Sequence, residues 1–257
     1  MKHVHVINNP FVEDSLSHLR DKRTSLEKFR EYSDKICSFL FAEAINGLEL
    51  KQEIISTPLE DIKVSKIKDE IIVVPVLRSG IAMLFGAMKL LPRVKVGFVG
   101  MERDEETAIA REYYWKLPKI NSHSVVIITD PMLATGGSIS HLLKRVLEEK
   151  PKAVRIVAVV AAPEGIERLR KDYPDLKLEI FVASVDREMN SKKYILPGLG
   201  DYGDRYFGTE LFFYLFFNTA SATFSAKPGL KTLGIISSTV GLTTASAIAL
   251  EAASFIG

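Results

Sequence analysis

A glycine-rich loop at residues 129–138, with the sequence TDPMLATGGS, is well suited to bind a phosphate group. It follows an apolar strand pattern and leads into an amphipathic helix pattern. The two adjacent glycines let backbone amides approach an anion closely, and the start of the helix behind them favours negative charge. Thr135 and Ser138 add hydroxyl donors, while Asp130 can accept hydrogen bonds from sugar hydroxyls. The pattern predicts a site for a phosphate monoester.

The same loop also has an ordinary interpretation, as a strand–turn–helix connection with a glycine-rich turn. A Walker-type nucleotide loop is disfavoured because no Lys follows the second glycine, and residues 129–138 lack the GxGxxG pattern of dinucleotide-binding loops. Taken alone, the loop leaves a phosphate site and a structural turn open.

Two other segments place charged side chains directly after apolar strand patterns. Arg78 follows one of them together with Ser79 and Gly80, and its planar guanidinium suits a diphosphate. The stretch 100–118 begins with charged residues, among them Arg103, and then turns aromatic, as expected of a lid over a site. Taken separately, a surface charge and a solvated hairpin explain these two segments more simply.

Four glycines and two aspartates fall within eleven residues of the segment 194–208, YILPGLGDYGDRYFG. This density predicts an irregular segment, because glycine destabilises the interior of helices and strands. The backbone amides and carbonyls of such a segment suit a planar base that carries both donors and acceptors. No structural interpretation explains this composition as well.

Alternating strand and helix patterns must position these loops. Apolar runs typical of strands buried on both faces are Ile71–Leu77, Val94–Val99, Val125–Thr129, Val154–Ala161 and Leu178–Val182. Helical patterns separate several of them, at Ile81–Leu91, Ser138–Glu149 and Glu164–Lys171. The alternation predicts an α/β fold with a mostly parallel central sheet and helices on both faces. Ligands of such sheets bind at the carboxyl ends of the strands, where the loops above begin.

The N-terminal part carries a strand pattern at Val4–Ile7 and then two helices. Thr24–Glu27 has the form of a capping box at the start of the second helix. An apolar stripe at three- and four-residue spacing follows and ends near Gly47; it consists of Leu26, Phe29, Ser33, Ile36, Cys37, Leu40, Phe41 and Ala44. Because Cys37 lies on this stripe, we expect a buried and unreactive thiol.

Composition excludes several classes of protein. With 257 residues, of which 47% are hydrophobic and 26% charged, the chain is neither disordered nor collagen-like. Its single cysteine excludes an internal disulfide, and its five histidines form no HExxH or comparable metal-binding cluster. A net charge of +2 gives no electrostatic case for nucleic acid as the main partner. The first residues lack a signal-peptide pattern, so we expect a cytoplasmic protein.

Five motifs together resemble those of uracil phosphoribosyltransferases. They are VPVLRSG, GMERDEET, TDPMLATGGS, VAAPEG and the 194–208 segment, in this order and spacing, and the resemblance covers residues 1–209. It implies a type I phosphoribosyltransferase fold with a C-terminal hood over the base. It also implies transfer of ribose 5-phosphate from 5-phosphoribosyl 1-diphosphate (PRPP) to N1 of uracil, which yields UMP and diphosphate in pyrimidine salvage.

The resemblance further implies site residues. The segment that would hold the ribose 5-phosphate consists of Asp130, Pro131, Met132, Leu133, Ala134, Thr135, Gly136, Gly137 and Ser138, with the amides of Ala134 to Ser138 on the phosphate. Ile195, Gly200 and Tyr202 would read uracil mainly through backbone groups. Arg78 would contact the diphosphate, and Arg103 would reach it from the lid. Asp201 would lie between base, PRPP and a metal-bound water. The residues implied in catalysis are Arg78, Arg103, Asp130 and Asp201.

Two departures from related sequences bear on this site. Many phosphoribosyltransferases have two adjacent acids before the phosphate loop, whereas here Pro131 follows Asp130, as in the uracil enzymes. The implied Mg²⁺ is therefore expected to be held through PRPP and water, not by the protein directly. Tyr202 stands where the family usually has Ala. A Tyr is compatible with uracil binding if its ring points outward, and obstructs the base if its ring points inward.

The resemblance also implies a homo-oligomer, either a dimer or a tetramer, and in some members nucleotide effectors such as GTP and CTP. Two other functions remain open. One is a pyrimidine regulator that binds RNA on the same fold, although the chain lacks a clear basic stripe. The other is a phosphoribosyltransferase that differs only in the base it accepts.

Residues 210–257 form an apolar extension beyond the resemblance. Only four of the chain's Lys, Arg, Asp and Glu residues lie there, and the uncharged stretch Thr232–Leu250 contains seven Ser or Thr. A helical hairpin, packed on the preceding region or across an oligomer interface, is the favoured interpretation. A membrane anchor is less favoured, because this composition would insert weakly. A gene-end accident without function is the third interpretation.

Overall fold

The computed structural model describes residues 3–103 and 110–209. The extension at 210–257 and the tip of the expected lid, residues 104–109, lie outside the described residues. The described residues all belong to one compact unit, Met1–Glu210. Among them, no helix combines the length and the apolar character that crossing a bilayer requires.

Strands and helices alternate through most of the described chain. The strands are β1 (Val4–Val6), β2 (Leu50–Ser56), β3 (Asp61–Ile67), β4 (Glu70–Leu77), β5 (Lys95–Val96), β6 (Phe98–Arg103), β7 (Ala110–Lys116), β8 (Ser124–Thr129), β9 (Met132–Leu133), β10 (Ala153–Ala161), β11 (Glu179–Val185), β12 (Glu188–Met189) and β13 (Ile195–Leu196). The helices are α1 (Pro10–Arg20), α2 (Leu26–Ala44), α3 (Ile81–Leu90), α4 (Gly137–Glu148), α5 (Pro163–Asp172) and α6 (Tyr202–Phe207).

The main sheet runs in the order β1-β11-β10-β8-β4-β6-β7, and every pair along this path is parallel except β6 with β7. The strands β4, β8 and β10 are buried along almost their whole length, as their apolar runs predict. One face packs against α1, α2, α3 and α6, and the other packs against α4 and α5. The α/β fold with a mostly parallel sheet and helices on both faces is therefore confirmed.

The second helix confirms the predicted stripe. Phe29, Ser33, Cys37 and the other stripe residues of α2 are buried, apart from Leu26 at its start. Burial raises the pKa of the Cys37 thiol to about 12, so this thiol stays protonated at neutral pH, as expected of an unreactive core cysteine.

Two local predictions are wrong. The N-cap of α2 is Ser25, whose Oγ accepts from the Lys28 amide at 3.4 Å, whereas Thr24 donates its hydroxyl to the His18 carbonyl. The run Val94–Val99 is not one buried strand, because Gly97 divides it into β5 and β6. A side chain at Gly97 would meet Leu117 at 2.5 Å, so the close passage of the chain after β7 requires the glycine.

Candidate functional site

The sheet register brings three of the predicted segments to one edge. The strands β4, β6 and β8 are parallel neighbours, with Leu77 opposite Gly100 and Pro75 opposite Thr129. Arg78 and Asp130 therefore follow strand ends that lie at the same edge of the sheet. Candidate ligand groups that are distant in sequence become neighbours because parallel strands end together.

The predicted lid is an antiparallel hairpin in its described part. β6 pairs with β7, with a bulge between Gly100 and Met101. Arg103 is the last residue of β6, and its side chain lies outside the described part of the structure. The role expected for Arg103 therefore stays a prediction.

The phosphate loop leads directly into α4. The N-cap Gly136 has a φ of 71° and no side chain of its own, and the Gly137 amide donates to Thr135 Oγ1 at 3.4 Å. Because the first turn of a helix leaves its amides without intrahelical partners, this end presents donors and positive potential to an anion. The loop lines a shallow pocket formed by Asp130 and residues 132–139. The described geometry is that of an anion-binding helix start.

Two groups of this loop are engaged within the loop itself. The Ala134 amide donates to the Met132 carbonyl at 2.8 Å, and its expected contact with a phosphate stays a prediction. The Met132 amide donates to Asp130 Oδ1 at 3.2 Å, which orients the Asp130 carboxylate at the end of β8. The hydrogen bonds thus shape the loop before any ligand enters.

Gly165 on α5 packs against the backbone of the phosphate loop, and the sequence analysis assigned it no role. A Cβ on Gly165 would collide with the Ala134 carbonyl oxygen and lie 3.1 Å from the Leu133 carbonyl. A Cβ on Gly136 would in turn lie 2.7 Å from the Gly165 carbonyl. The VAAPEG motif carries the only signal, because it places a glycine in the first turn of a helix that packs against α4.

The loop that contains Arg78 contacts both neighbours. Thr129 donates its hydroxyl to the Gly80 carbonyl at 3.3 Å, and a Cβ on Gly80 would lie 2.5 Å from the Thr129 carbonyl. On the other side, a Cβ on Gly203 would lie 3.5 Å from Ser79 Cβ. The first turn of α6 and the phosphate loop therefore flank the Arg78 segment.

The segment 194–208, which we call the hood, is more regular than predicted. It contains strand β13, paired with β12, and the complete helix α6. Three of its four glycines lie outside α6, two before the helix and one after it. These are Gly198, Gly200 and Gly208, with φ values of 62°, 81° and 77°. Glycine supplies these left-handed turns at little cost, so its density marks the turns and not the absence of regular structure.

An ion pair holds the turn at Gly198. Arg20 makes two hydrogen bonds to Asp186, at 2.5 and 2.9 Å, and a third to the Gly198 carbonyl at 2.7 Å. Asp186 also accepts from the Gly198 amide at 2.9 Å. Burial alone would raise the pKa of Asp186, but its hydrogen bonds with Arg20 and Ser184 outweigh burial and hold that pKa below its usual value. Sequence reasoning missed both partners of this pair.

The side chain of Tyr202 enters the core between α6 and α2. It is 1% exposed, its ring meets Phe29 edge-on at 5.1 Å, and its hydroxyl donates to Ser33 Oγ at 2.6 Å. Burial raises its pKa well above 10, so the hydroxyl remains a donor. The ring therefore points inward, the orientation that was expected to obstruct the base, but it lies against Phe29 and Ser33 of α2.

The remaining hood residues of the predicted base site are Ile195, Gly200 and Asp201. The Ile195 side chain is buried, while Gly200 and Asp201 are exposed. Asp201 caps α6, because its Oδ1 accepts from the Asp204 amide at 2.9 Å. Asp204 in turn pairs with Arg78, at 3.0 Å between Oδ1 and Nη2. Arg78 and Asp201, predicted from separate motifs, are thus linked through one residue that was not predicted.

No group of three or more His, Cys, Asp or Glu residues that could hold a metal occurs among the described residues. Asp130 and Asp201 are single carboxylates on separate loops. This donor set fits a magnesium ion that keeps several waters and takes its other oxygens from a phosphorylated substrate.

Comparisons with known proteins agree with this geometry. The family described as "Uracil phosphoribosyltransferase" matches residues 6–209. A uracil phosphoribosyltransferase from Shouchella clausii is 40% identical over 82% of this chain and its own full length, and one from Campylobacter fetus is 41% identical over 81% of this chain and 99% of its own. A solved structure from Aquifex aeolicus has 36% identity and a TM-score of 0.77, covering 81% of this chain and all of that protein. This chain belongs to the uracil phosphoribosyltransferase family.

Proposed function

We propose that this protein transfers ribose 5-phosphate from PRPP to N1 of uracil and releases UMP and diphosphate. The observation that carries the proposal is the family match over residues 6–209, which includes every segment of the candidate site. Support from the geometry comes from two contacts: Thr129, where the phosphate loop begins, donates to the Gly80 carbonyl, and Arg78 pairs with Asp204 of the hood. Neither the family match nor the named relatives favour the RNA-binding regulator.

The reaction breaks the bond between C1′ and the diphosphate oxygen and forms a bond between C1′ and N1 of uracil. Negative charge gathers on the departing diphosphate while the ribose gains oxocarbenium character, so a guanidinium beside the diphosphate stabilises the transition state. We assign this role to Arg78, and we assign the 5′-phosphate to the start of α4. The N1 proton of uracil leaves to solvent, since no described side chain is assigned as its base. Positioning of uracil and PRPP relative to each other then supplies most of the rate acceleration.

We propose Mg²⁺ as the cofactor, held by PRPP and water beside Asp130 and Asp201. When bound, it neutralises charge on the diphosphate. Asp130 accepts from the Met132 amide and Asp201 accepts from the Asp204 amide, so backbone hydrogen bonds orient both carboxylates. Their role is to accept hydrogen bonds from ribose hydroxyls and from metal-bound water.

We further propose a homo-oligomer. The hairpin of β2 and β3 is a separate two-stranded sheet with apolar side chains exposed along it. Ile54 is 72% exposed and Leu59 at its turn is 96% exposed. Apolar surface of this kind is typical of a face that another chain covers. A cytoplasmic location and effects of GTP and CTP stay predictions, and the two nucleotides are tested by adding each to the assay below.

The direct test incubates the full chain with labelled PRPP, Mg²⁺ and one base at a time. We expect uracil to yield UMP, and cytosine, adenine and orotate to remain unchanged. Omission of Mg²⁺ should abolish the reaction. UMP formation with no requirement for Mg²⁺ would contradict the cofactor, and consumption of another base in place of uracil would contradict the substrate. Salt-sensitive RNA binding without UMP formation would favour the regulator instead.

A further inference from the structure

The ion pair between Arg78 and Asp204 joins the diphosphate side of the site to the hood. The two residues are 126 positions apart in sequence, and Arg78 Nη2 lies 3.0 Å from Asp204 Oδ1. The Arg78 side chain is 60% exposed, whereas that of Asp204 is 16% exposed. The carboxylate is therefore largely covered by the protein, whereas most of the Arg78 side chain is exposed to solvent.

Other contacts fix the position of Asp204. Its amide donates to Asp201 Oδ1 at 2.9 Å, and its carbonyl accepts from the Gly208 amide at 2.7 Å. Its Oδ1, the oxygen that meets Arg78, also accepts from the Thr209 hydroxyl at 2.6 Å. The carboxylate is a preformed acceptor at the first turn of α6, and Arg78 is the more exposed partner.

A guanidinium that serves a diphosphate must direct its donors at phosphate oxygens. In the described structure, one of these donors is directed at a carboxylate. We propose that Asp204 occupies the place of a diphosphate oxygen on Arg78, and that a diphosphate-bearing ligand must displace it. Asp204 is therefore a positioning residue that lowers the affinity of the protein for the diphosphate group. Binding of a diphosphate would break the contact between Arg78 and the hood. The inference rests on the proposed function, because it uses the assignment of Arg78 to the diphosphate.

The size of the effect follows from the exposure of the pair. Exposed ion pairs contribute up to about 1 kcal/mol, which corresponds to a factor of about five in a binding constant. Replacing the carboxylate by a neutral amide of the same shape should therefore tighten diphosphate binding about two- to fivefold. A ligand without a diphosphate has no such competition, so its affinity should stay the same.

The test compares the full wild-type chain with Asp204→Asn by calorimetric titration with inorganic diphosphate, PRPP and UMP. We expect tighter binding of diphosphate and PRPP by the variant, and equal binding of UMP. Glu31→Gln is the matched control: it removes one carboxylate that pairs with Lys28 and Lys35 on the surface of α2, and it should leave all three affinities unchanged. Thermal unfolding of each protein shows whether the substitution has altered folding.

Equal or weaker diphosphate binding by a folded Asp204→Asn variant would overturn the proposal, and so would an equal gain in UMP affinity, which would point to a general charge effect. Absence of diphosphate binding by every protein would also overturn it. UMP formation from uracil and PRPP is measured in the same wild-type preparation. This assay tests the proposed function independently of the titrations.

Discussion

The hydroxyl of Tyr202 lies where the hood meets the second helix. It donates to Ser33 Oγ, both groups are buried, and the Cys37 thiol also lies within hydrogen-bonding reach of both. The neighbouring Arg205 holds the same region, since its guanidinium lies 4.4 Å from the centre of the Phe29 ring and donates to the Leu199 carbonyl at 2.7 Å. These contacts anchor the first turn of α6, and with it the cap residue Asp201.

Tyr202→Phe should lower the free energy of unfolding by about 1 kcal/mol, because it removes the buried hydrogen bond from the Tyr202 hydroxyl to Ser33 Oγ. The KM for uracil should stay the same, since the ring packs against α2 and not in the base site. Urea denaturation and steady-state kinetics measure the two effects. The double variant with Ser33→Ala should recover part of the lost stability. A Tyr202→Ala variant removes the ring itself, and a large fall in its KM for uracil would contradict this assignment and show that the ring obstructs the base.

At the level of elements, α5 packs closely against the phosphate loop, with backbone against backbone. Gly165 and Gly136 allow α5 to touch the loop that precedes α4. Their requirement is geometric, because carbonyl oxygens occupy the space that a methyl group would need. The orientation of the anion-binding helix start thus depends on a helix that supplies none of its donors.

Gly165→Ala should raise the KM for PRPP at least about tenfold and lower the free energy of unfolding by about 1–3 kcal/mol, as overpacking does. Kinetics with varied PRPP and urea denaturation are the measurements. Gly47→Ala is the control: Gly47 has a φ of 73° and no atom within 4 Å of an added Cβ. It should lose stability through backbone strain and keep its PRPP kinetics. Equal PRPP kinetics in both variants would show that the contact does not shape the loop.

The hairpin of β2 and β3 had no signal that could predict it. Its residues are exposed on almost every position, so neither strand shows the apolar alternation of a half-buried sheet. The buried strands β4, β8 and β10 were predictable for the opposite reason, since both of their faces contact helices.

At the scale of the whole molecule, the family match and the described structure both end at Thr209. Within the described part of the chain, the contacts of the candidate site extend as far as the hydrogen bond between Thr209 and Asp204. The division into a catalytic region at 1–209 and an extension at 210–257 stays a prediction.

A chain that ends after Thr209 should keep the kcat and both KM values of the full chain, because every proposed site residue is retained. Steady-state kinetics test this directly. A chain that ends after Phe207 is the comparison: it removes two hydrogen bonds to Asp204, from the Gly208 amide and the Thr209 hydroxyl, and should weaken α6. Loss of activity in the chain that ends after Thr209 would contradict the division. Sedimentation with lipid vesicles by the full chain alone would favour a membrane anchor.

The sequence by itself determined the α/β alternation, the buried stripe of α2 and the loops that carry the candidate chemistry. These features depend on periodicity, glycine conformations and helix starts, which act over a few residues. Only the tertiary structure decided where Tyr202 points, which carboxylate meets Arg78 and why Gly165 must lack a side chain. Each of those features depends on which distant elements pack together. The residue pattern of one element does not indicate which side chains of another element will contact it.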